Sequence, residues 1–198
     1  MNLLSEHKKA VDFLLPFLRD GEFYLAGGTA VYYYLGQRES LDLGFFTKKS
    51  LDFSRYQHLF LPHSVPFFSN DTIHAQVEGT RVSFFLYPYA LLRPTTPLDP
   101  IELAHLEDIL CMKVSAIINR GSRKDFTDVY FIMKELQISA KRCVELFVAK
   151  YGAYNPLVIA KAMTYFEDAE NEPELKALKP VSWQEVKNFL SQGLQSYE

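Results

Sequence analysis

Leu25-Ala26-Gly27-Gly28-Thr29-Ala30 and, a short segment later, Ser40-Leu41-Asp42-Leu43-Gly44-Phe45-Phe46 decide how this 198-residue chain folds. Phe23 to Ala26 is an apolar run that stops at two glycines, the pattern of a buried strand entering a tight turn. Thr29 to Leu35 can then form a helix that Gly36 closes. In the second stretch side chains alternate along a strand, so Leu41, Leu43 and Phe45 face a core while Ser40, Asp42 and Gly44 face the other way. A carboxylate inside so apolar a strand is costly unless it binds something. The alternative is a strand-end aspartate bonded to backbone.

Working outward, Leu3 to Leu18 carries leucine and valine at helical spacing, and Asp20-Gly21 stops it. Asp52 to Phe60 reads as a short helix. Val65 to Phe68, Ile73 to Glu78 and Arg81 to Tyr87 read as strands, the last two joined by a hairpin at Glu78-Gly79-Thr80. Pro88, Pro94, Pro97 and Pro100 argue against helix or central strand between residues 88 and 100. Beyond them, Leu103 to Ile118, Lys124 to Leu136, Ala140 to Lys150, Pro156 to Phe166 and Ser182 to Leu190 look helical. The expected architecture is an α/β or α+β core over residues 1–100 and a helical region over residues 101–198.

Composition agrees with a soluble globular protein, at 48% hydrophobic and 23% charged residues, and 16 Phe and 12 Tyr predict an aromatic core. A formal net charge of −3 speaks against a surface that binds nucleic acid everywhere, though not against a local basic patch. Cys111 and Cys143 lack CxxC spacing and read as buried thiols of a reducing compartment. No signal peptide or membrane-length apolar run is evident, so the expected location is the cytoplasm. His7, His58, His63, His74 and His105 show no metal-type spacing and read as structural or surface residues.

Two further features could carry chemistry. Gly27-Gly28 ahead of a helix lets backbone approach a ligand closely, with free N–H groups suited to phosphate, although such a pair can also be a simple turn. No Gly-Lys-Ser/Thr follows, so it is not a Walker loop. From Lys113 to Asp128, Lys113, Arg120, Arg123 and Lys124 gather with Asp125 and Asp128 about a helix junction. The plainer reading of that cluster is a solvated helix hairpin laced by salt bridges.

Taken together, Leu25 to Ala30, Arg38-Glu39-Ser40-Leu41-Asp42-Leu43 and Lys113 to Asp128, with Tyr165 to Ala169 and Trp183 beyond, resemble the nucleotidyltransferase-like AbiEii/AbiGii toxin family. The resemblance implies a mixed sheet flanked by helices, then a helical C-terminal part. It implies that Gly27, Gly28, Thr29 and Ser40 line a nucleoside triphosphate site, and that Asp42 holds Mg²⁺. It further implies that Lys113 stabilises phosphate charge and that Asp125 orients it or acts as a base. Relatives transfer a nucleotide, in some cases to tRNA, and many are encoded beside an antitoxin. This sequence departs from the pattern at Gly44, where a second metal-binding acid is expected, and at Ser83, where the superfamily often carries a third. A degraded site of this kind leaves two expectations open: weak nucleotide transfer, or an inactive descendant that binds a protein or RNA.

Overall fold

A computed structural model describes residues 3–50, 58, 60, 63–152 and 154–194. The helix expected over Asp52 to Phe60 falls largely outside the described residues. The chain forms two compact units. Met1–Ala30, Ser40–Tyr89 and Pro94–Ala104 make the first; Val31–Glu39, Ala90–Arg93 and His105–Glu198 make the second.

The first unit is a mixed seven-stranded sheet in the order β3-β4-β5-β2-β1-β7-β6. Its strands are β1 (Tyr24–Ala26), β2 (Leu43–Thr47), β3 (Ser64–Phe68), β4 (Thr72–Val77), β5 (Thr80–Leu86), β6 (Thr96–Leu98) and β7 (Ile101–Leu103). The two central pairings, β2 with β5 and β1 with β7, are parallel and β1 runs antiparallel to β2. Glu78 and Gly79 both take positive φ, 50° and 80°, as a two-residue hairpin between β4 and β5 requires.

One sheet face is sealed by helix α1 (Ser5–Asp20) through aromatic packing. Phe84 is its hub, with ring centroids at 5.0 Å from Phe17, 5.4 Å from Phe23, 5.8 Å from Phe45 and 5.9 Å from Phe60. Edge-to-face and offset contacts of this kind add to the area that each ring buries. On the opposite face Phe46 stacks on Phe85 at 4.9 Å, and both remain half-buried.

Two expectations shift. Strand β2 begins at Leu43 rather than Ser40, so Leu41 is exposed instead of core-facing. The carbonyl of Leu41 is bonded to His7 Nε2 at 3.1 Å, which holds this segment as a loop. The proline-rich stretch also contains strand β6, whose Pro97 sits opposite Glu102 on the sheet's outermost strand. There a missing N–H disturbs no inner ladder. The division expected at residue 100 therefore falls inside the β6–β7 hairpin.

Helix α2 (Gly27–Leu35) starts in the first unit and ends in the second. The second unit adds α3 (Leu106–Arg120), α4 (Arg123–Leu136), α5 (Ala140–Tyr151), α6 (Pro156–Thr164), α7 (Glu167–Glu170) and α8 (Trp183–Leu194). Side chains cap four of these: His105 accepts from Glu107 N, Ser139 from Arg142 N, Asn155 from Leu157 N and Ser182 from Glu185 N. Gly121, at φ 56°, ends α3 in the left-handed conformation and turns the chain into α4. Among the described residues no helix is long and apolar enough to cross a membrane.

Candidate active site

In the sheet unit, Gly27 takes φ 76°, a conformation that a side chain would strain, and it opens α2 where the helix still has free N–H groups. Thr29, on the first turn, is buried and donates its hydroxyl to the Asp42 carbonyl at 2.6 Å. Its single hydroxyl hydrogen being so used, the 2.9 Å contact with Ser40 Oγ has Ser40 as donor. These bonds tie the Ser40–Asp42 segment to the glycine turn, so Gly27, Thr29, Ser40 and Asp42 are brought together.

The Asp42 carboxylate points outward and pairs with Arg81 Nε at 2.8 Å, the two side chains being 57% and 77% exposed. Exposed pairs contribute at most about 1 kcal/mol. Arg81 is therefore a displaceable partner, and Asp42 remains available to a cation. Among the described residues no three His, Cys, Asp or Glu side chains cluster as a metal site. One carboxylate completed by phosphate oxygens and water is a common Mg²⁺ arrangement. Asp42 fits that role, with substrate oxygens required to fill the remaining positions.

Beside Asp42 the sheet carries a row in register: Ala26 opposite Gly44, Gly44 opposite Ser83, and Ser83 opposite His74. A Cβ added at Gly44 would meet Phe46 Cε2 at 3.5 Å and Ala26 O at 3.6 Å, ordinary contacts. Packing therefore does not require glycine there. His74 Nδ1 lies 2.8 Å from Ser83 Oγ.

In the helical unit, Lys113 and Asp125 are brought together within a larger buried network. Lys113 Nζ donates to Asp125 at 2.9 Å and pairs with Asp128 at 2.6 Å. Arg38 holds Asp128 with two bonds, Nε at 2.8 Å and Nη2 at 2.7 Å, and Gln37 Nε2 adds a third at 2.9 Å. Arg120 grips Asp125 likewise, at 2.7 and 3.1 Å. Both carboxylates are fully buried, whereas the Arg120 side chain is 56% exposed. Three cations thus face these two carboxylates, and the Glu172 carboxylate also acts on Arg120 at the exposed end of the network.

Burial alone would push both carboxyls up. At Asp125 the Lys113 charge and the Arg120 and Lys113 hydrogen bonds outweigh it; at Asp128 Lys113 and Arg38 do so. Both stay below the ordinary carboxylate range. For Arg38 burial works to lower the pKa, and the Asp128 carboxylate overrides it and raises it.

Arg38 and Asp128 lie in the motifs without a role that sequence reasoning assigned; their pairing spans 90 positions. A Gln-Arg pair directly after an apolar helix was the available signal. Gln37 and Arg38 also wall a cavity of about 200 Å³ with Arg123, Thr127 and Trp183, the Arg123 guanidinium lying 5.1 Å from the Trp183 ring centroid. Cys111 and Cys143 are both free and buried, and burial pushes each thiol up, that of Cys143 to about 12. They are inert packing residues.

Known proteins resemble this chain in sequence and in fold. An uncharacterised protein of Aquifex aeolicus is 36% identical over 202 residues, covering 98% of this chain and 97% of that protein. A Helicobacter pylori protein described as a nucleotidyltransferase shares the fold at TM-score 0.60 and 15% identity, with 98% of this chain and 96% of that one covered. MenT4, a nucleotidyltransferase toxin of Mycobacterium tuberculosis, does so at TM-score 0.54 and 12% identity, over 95% and 81% of the two chains. The family model for the nucleotidyl transferase AbiEii toxin of type IV toxin–antitoxin systems matches residues 83–196, more than half of the sequence. The chain belongs to the AbiEii nucleotidyltransferase toxin family.

Proposed function

We propose that this protein binds a nucleoside triphosphate together with Mg²⁺ and transfers a nucleotide to an acceptor such as tRNA, in the cytoplasm and under control of a cognate antitoxin. The observation that carries this reading is the start of α2, where Gly27 takes φ 76° and the Thr29 and Ser40 hydroxyls tie the Asp42 segment to the turn. The free N–H groups of a helix start suit phosphate, and a triphosphate is the anion that the family's chemistry uses. Lys113 has three N–H donors and uses two of them on Asp125 and Asp128. Lys113 stabilises charge on the phosphates; Asp125 fixes the direction of its ammonium. Gly27, Gly28, Thr29 and Ser40 frame the phosphates at the start of α2, and Asp42 is the carboxylate that holds the metal. A bound Mg²⁺ supplies neutralisation of phosphate charge and templating of the reacting oxygens.

Calorimetry with ATP, GTP, CTP and UTP in Mg²⁺ tests this. One nucleotide should bind, and Asp42→Ala and Lys113→Ala should each weaken binding by about 1.5–3 kcal/mol. Melting curves confirm that the variants fold. Unchanged affinity in both folded variants would move the site elsewhere. A second reading, a binding module for protein or RNA without catalysis, draws on Gly44, Ser83 and the Asp42–Arg81 pair. Absence of binding by all four nucleotides would favour it.

A further inference from the structure

Resting on the nucleotidyltransferase reading, the geometry points to Ser83 and His74 as a proton relay that deprotonates the acceptor hydroxyl. Gly44, Ser83 and His74 stand side by side on β2, β5 and β4, on the half-buried face opposite the Phe84 core. Asp42 ends the loop two residues before Gly44. Where the superfamily often places its third acid, this chain has Ser83, whose hydroxyl lies 2.8 Å from His74 Nδ1. The imidazole is held in place: Phe67 lies against it at 5.5 Å and Phe85 at 5.9 Å. Its other ring nitrogen has no partner among the described residues. The charged groups on this part of the sheet unit, Arg81 and Asp42, are paired with each other. His74 is therefore the base available to Ser83.

In the step, the acceptor oxygen bonds to the α-phosphorus of the nucleotide while the bond from that phosphorus to the pyrophosphate oxygen breaks. The acceptor's proton passes to Ser83 Oγ as the Ser83 proton passes to Nδ1 of neutral His74. Pyrophosphate leaves with the electron pair, and His74 is left as imidazolium, to be discharged to solvent. Ser83 touches the acceptor and is the catalytic residue; His74 acts through it. General-base assistance of this kind contributes about 10²–10⁴-fold.

The experiment compares the parent, Ser83→Ala, His74→Gln and the double variant. Nucleotide affinity is read by calorimetry, and transfer of labelled nucleotide in Mg²⁺ is read with bulk tRNA as probe acceptor. Affinity should be unchanged while transfer falls about 100-fold in each single variant and no further in the double. The pH profile of transfer should differ between the parent and His74→Gln. Histidine-selective NMR adds a readout that needs no turnover: the His74 ring-nitrogen resonances should shift in Ser83→Ala, where Nδ1 loses its hydrogen-bond partner. Aspartate at position 83, introduced by Ser83→Asp into His74→Gln, should restore transfer. Transfer that survives either single variant, or nucleotide binding without any transfer, overturns the relay. So does a nucleotidyl adduct on Ser83 seen by mass spectrometry, which would make it a nucleophile. Failure of all nucleotide binding removes the nucleotidyltransferase reading itself, and the relay with it.

Discussion

Gly44→Asp introduces a carboxylate at the position where resemblance to the family implies one. The added Cβ meets only ordinary contacts, from Phe46 and the Ala26 carbonyl, so the cost is electrostatic rather than steric. Positions 42 and 44 are two residues apart, which bounds their separation at roughly 7 Å. Two unit charges at that distance repel by about 0.6 kcal/mol in water and about 2.4 kcal/mol at an effective dielectric of about 20. Asp42 is 57% exposed and paired with Arg81, which places the cost near the lower figure, ~0.5–1 kcal/mol. In chelator the variant should melt about 1–4 °C below the parent, since 1 kcal/mol shifts a protein of this size by roughly 2–4 °C. At a metal concentration about ten times the dissociation constant, binding returns about 1.4 kcal/mol and reverses the order. Paired thermal melts in chelator, Mg²⁺ and Mn²⁺ provide the assay. A variant that gains no more than the parent from either metal would refute the reasoning, because position 44 would then not face a cation site.

Asp128→Asn should destabilise by about 3–5 kcal/mol, because Lys113 and Arg38 lose a buried counter-charge, whereas Arg120→Gln at the exposed end should cost about 1 kcal/mol; urea unfolding compares them. The depressed carboxyls of Asp125 and Asp128 stabilise the fold fully above their ordinary value of 3.8, and that contribution is lost as pH falls below 3.8 through their lower folded values. His7 is lowered from 6.5, chiefly by burial, so its contribution is complete above pH 6.5 and declines as pH falls toward its folded value. His7→Gln keeps a donor for Leu41 O and should flatten that part of a stability-against-pH curve. Lys150→Met should cost about 3–5 kcal/mol by stranding buried Asp108, measured by the same unfolding experiment.

Local signals were legible wherever a residue type had one physical use. Gly27-Gly28 marked the strand-to-helix turn, Glu78-Gly79 the hairpin, and the apolar periodicities the helices of the second unit. Lys113 with Asp125, one helix junction apart, was likewise readable. Long-range pairings were not. Nothing in the local pattern announces that Arg38 reaches Asp128, that Arg81 covers Asp42, or that His74 sits beside Ser83. These depend on the pairing of β4 with β5 and of β5 with β2, and on how the chain after α2 meets α4. Leu41 was misplaced because alternation carries no marker for where a strand begins; the His7 bond that keeps residue 41 in a loop comes from α1, 34 positions away. Strand β6 was hidden because proline reads as a breaker unless its edge position is known.

Buried Asp108 accepts the backbone N–H groups of Leu92 and Arg93 at 2.9 and 3.1 Å, while Lys150 Nζ binds both that carboxylate and the Ala90 carbonyl. The clamp reads main chain, not side chains. As far as this clamp is concerned residues 90–93 are therefore free to drift in identity, save that proline is barred at 92 and 93, where an N–H is consumed, and that Arg93 also pairs with Glu107 at 2.6 Å. Asp108 and Lys150 have no such freedom. Either one replaced alone leaves its partner's charge stranded in the interior, so a lineage leaves this pairing by a compensated double change or keeps it. Among distant descendants, the 90–93 segment should diverge around an inherited pair of opposite charges.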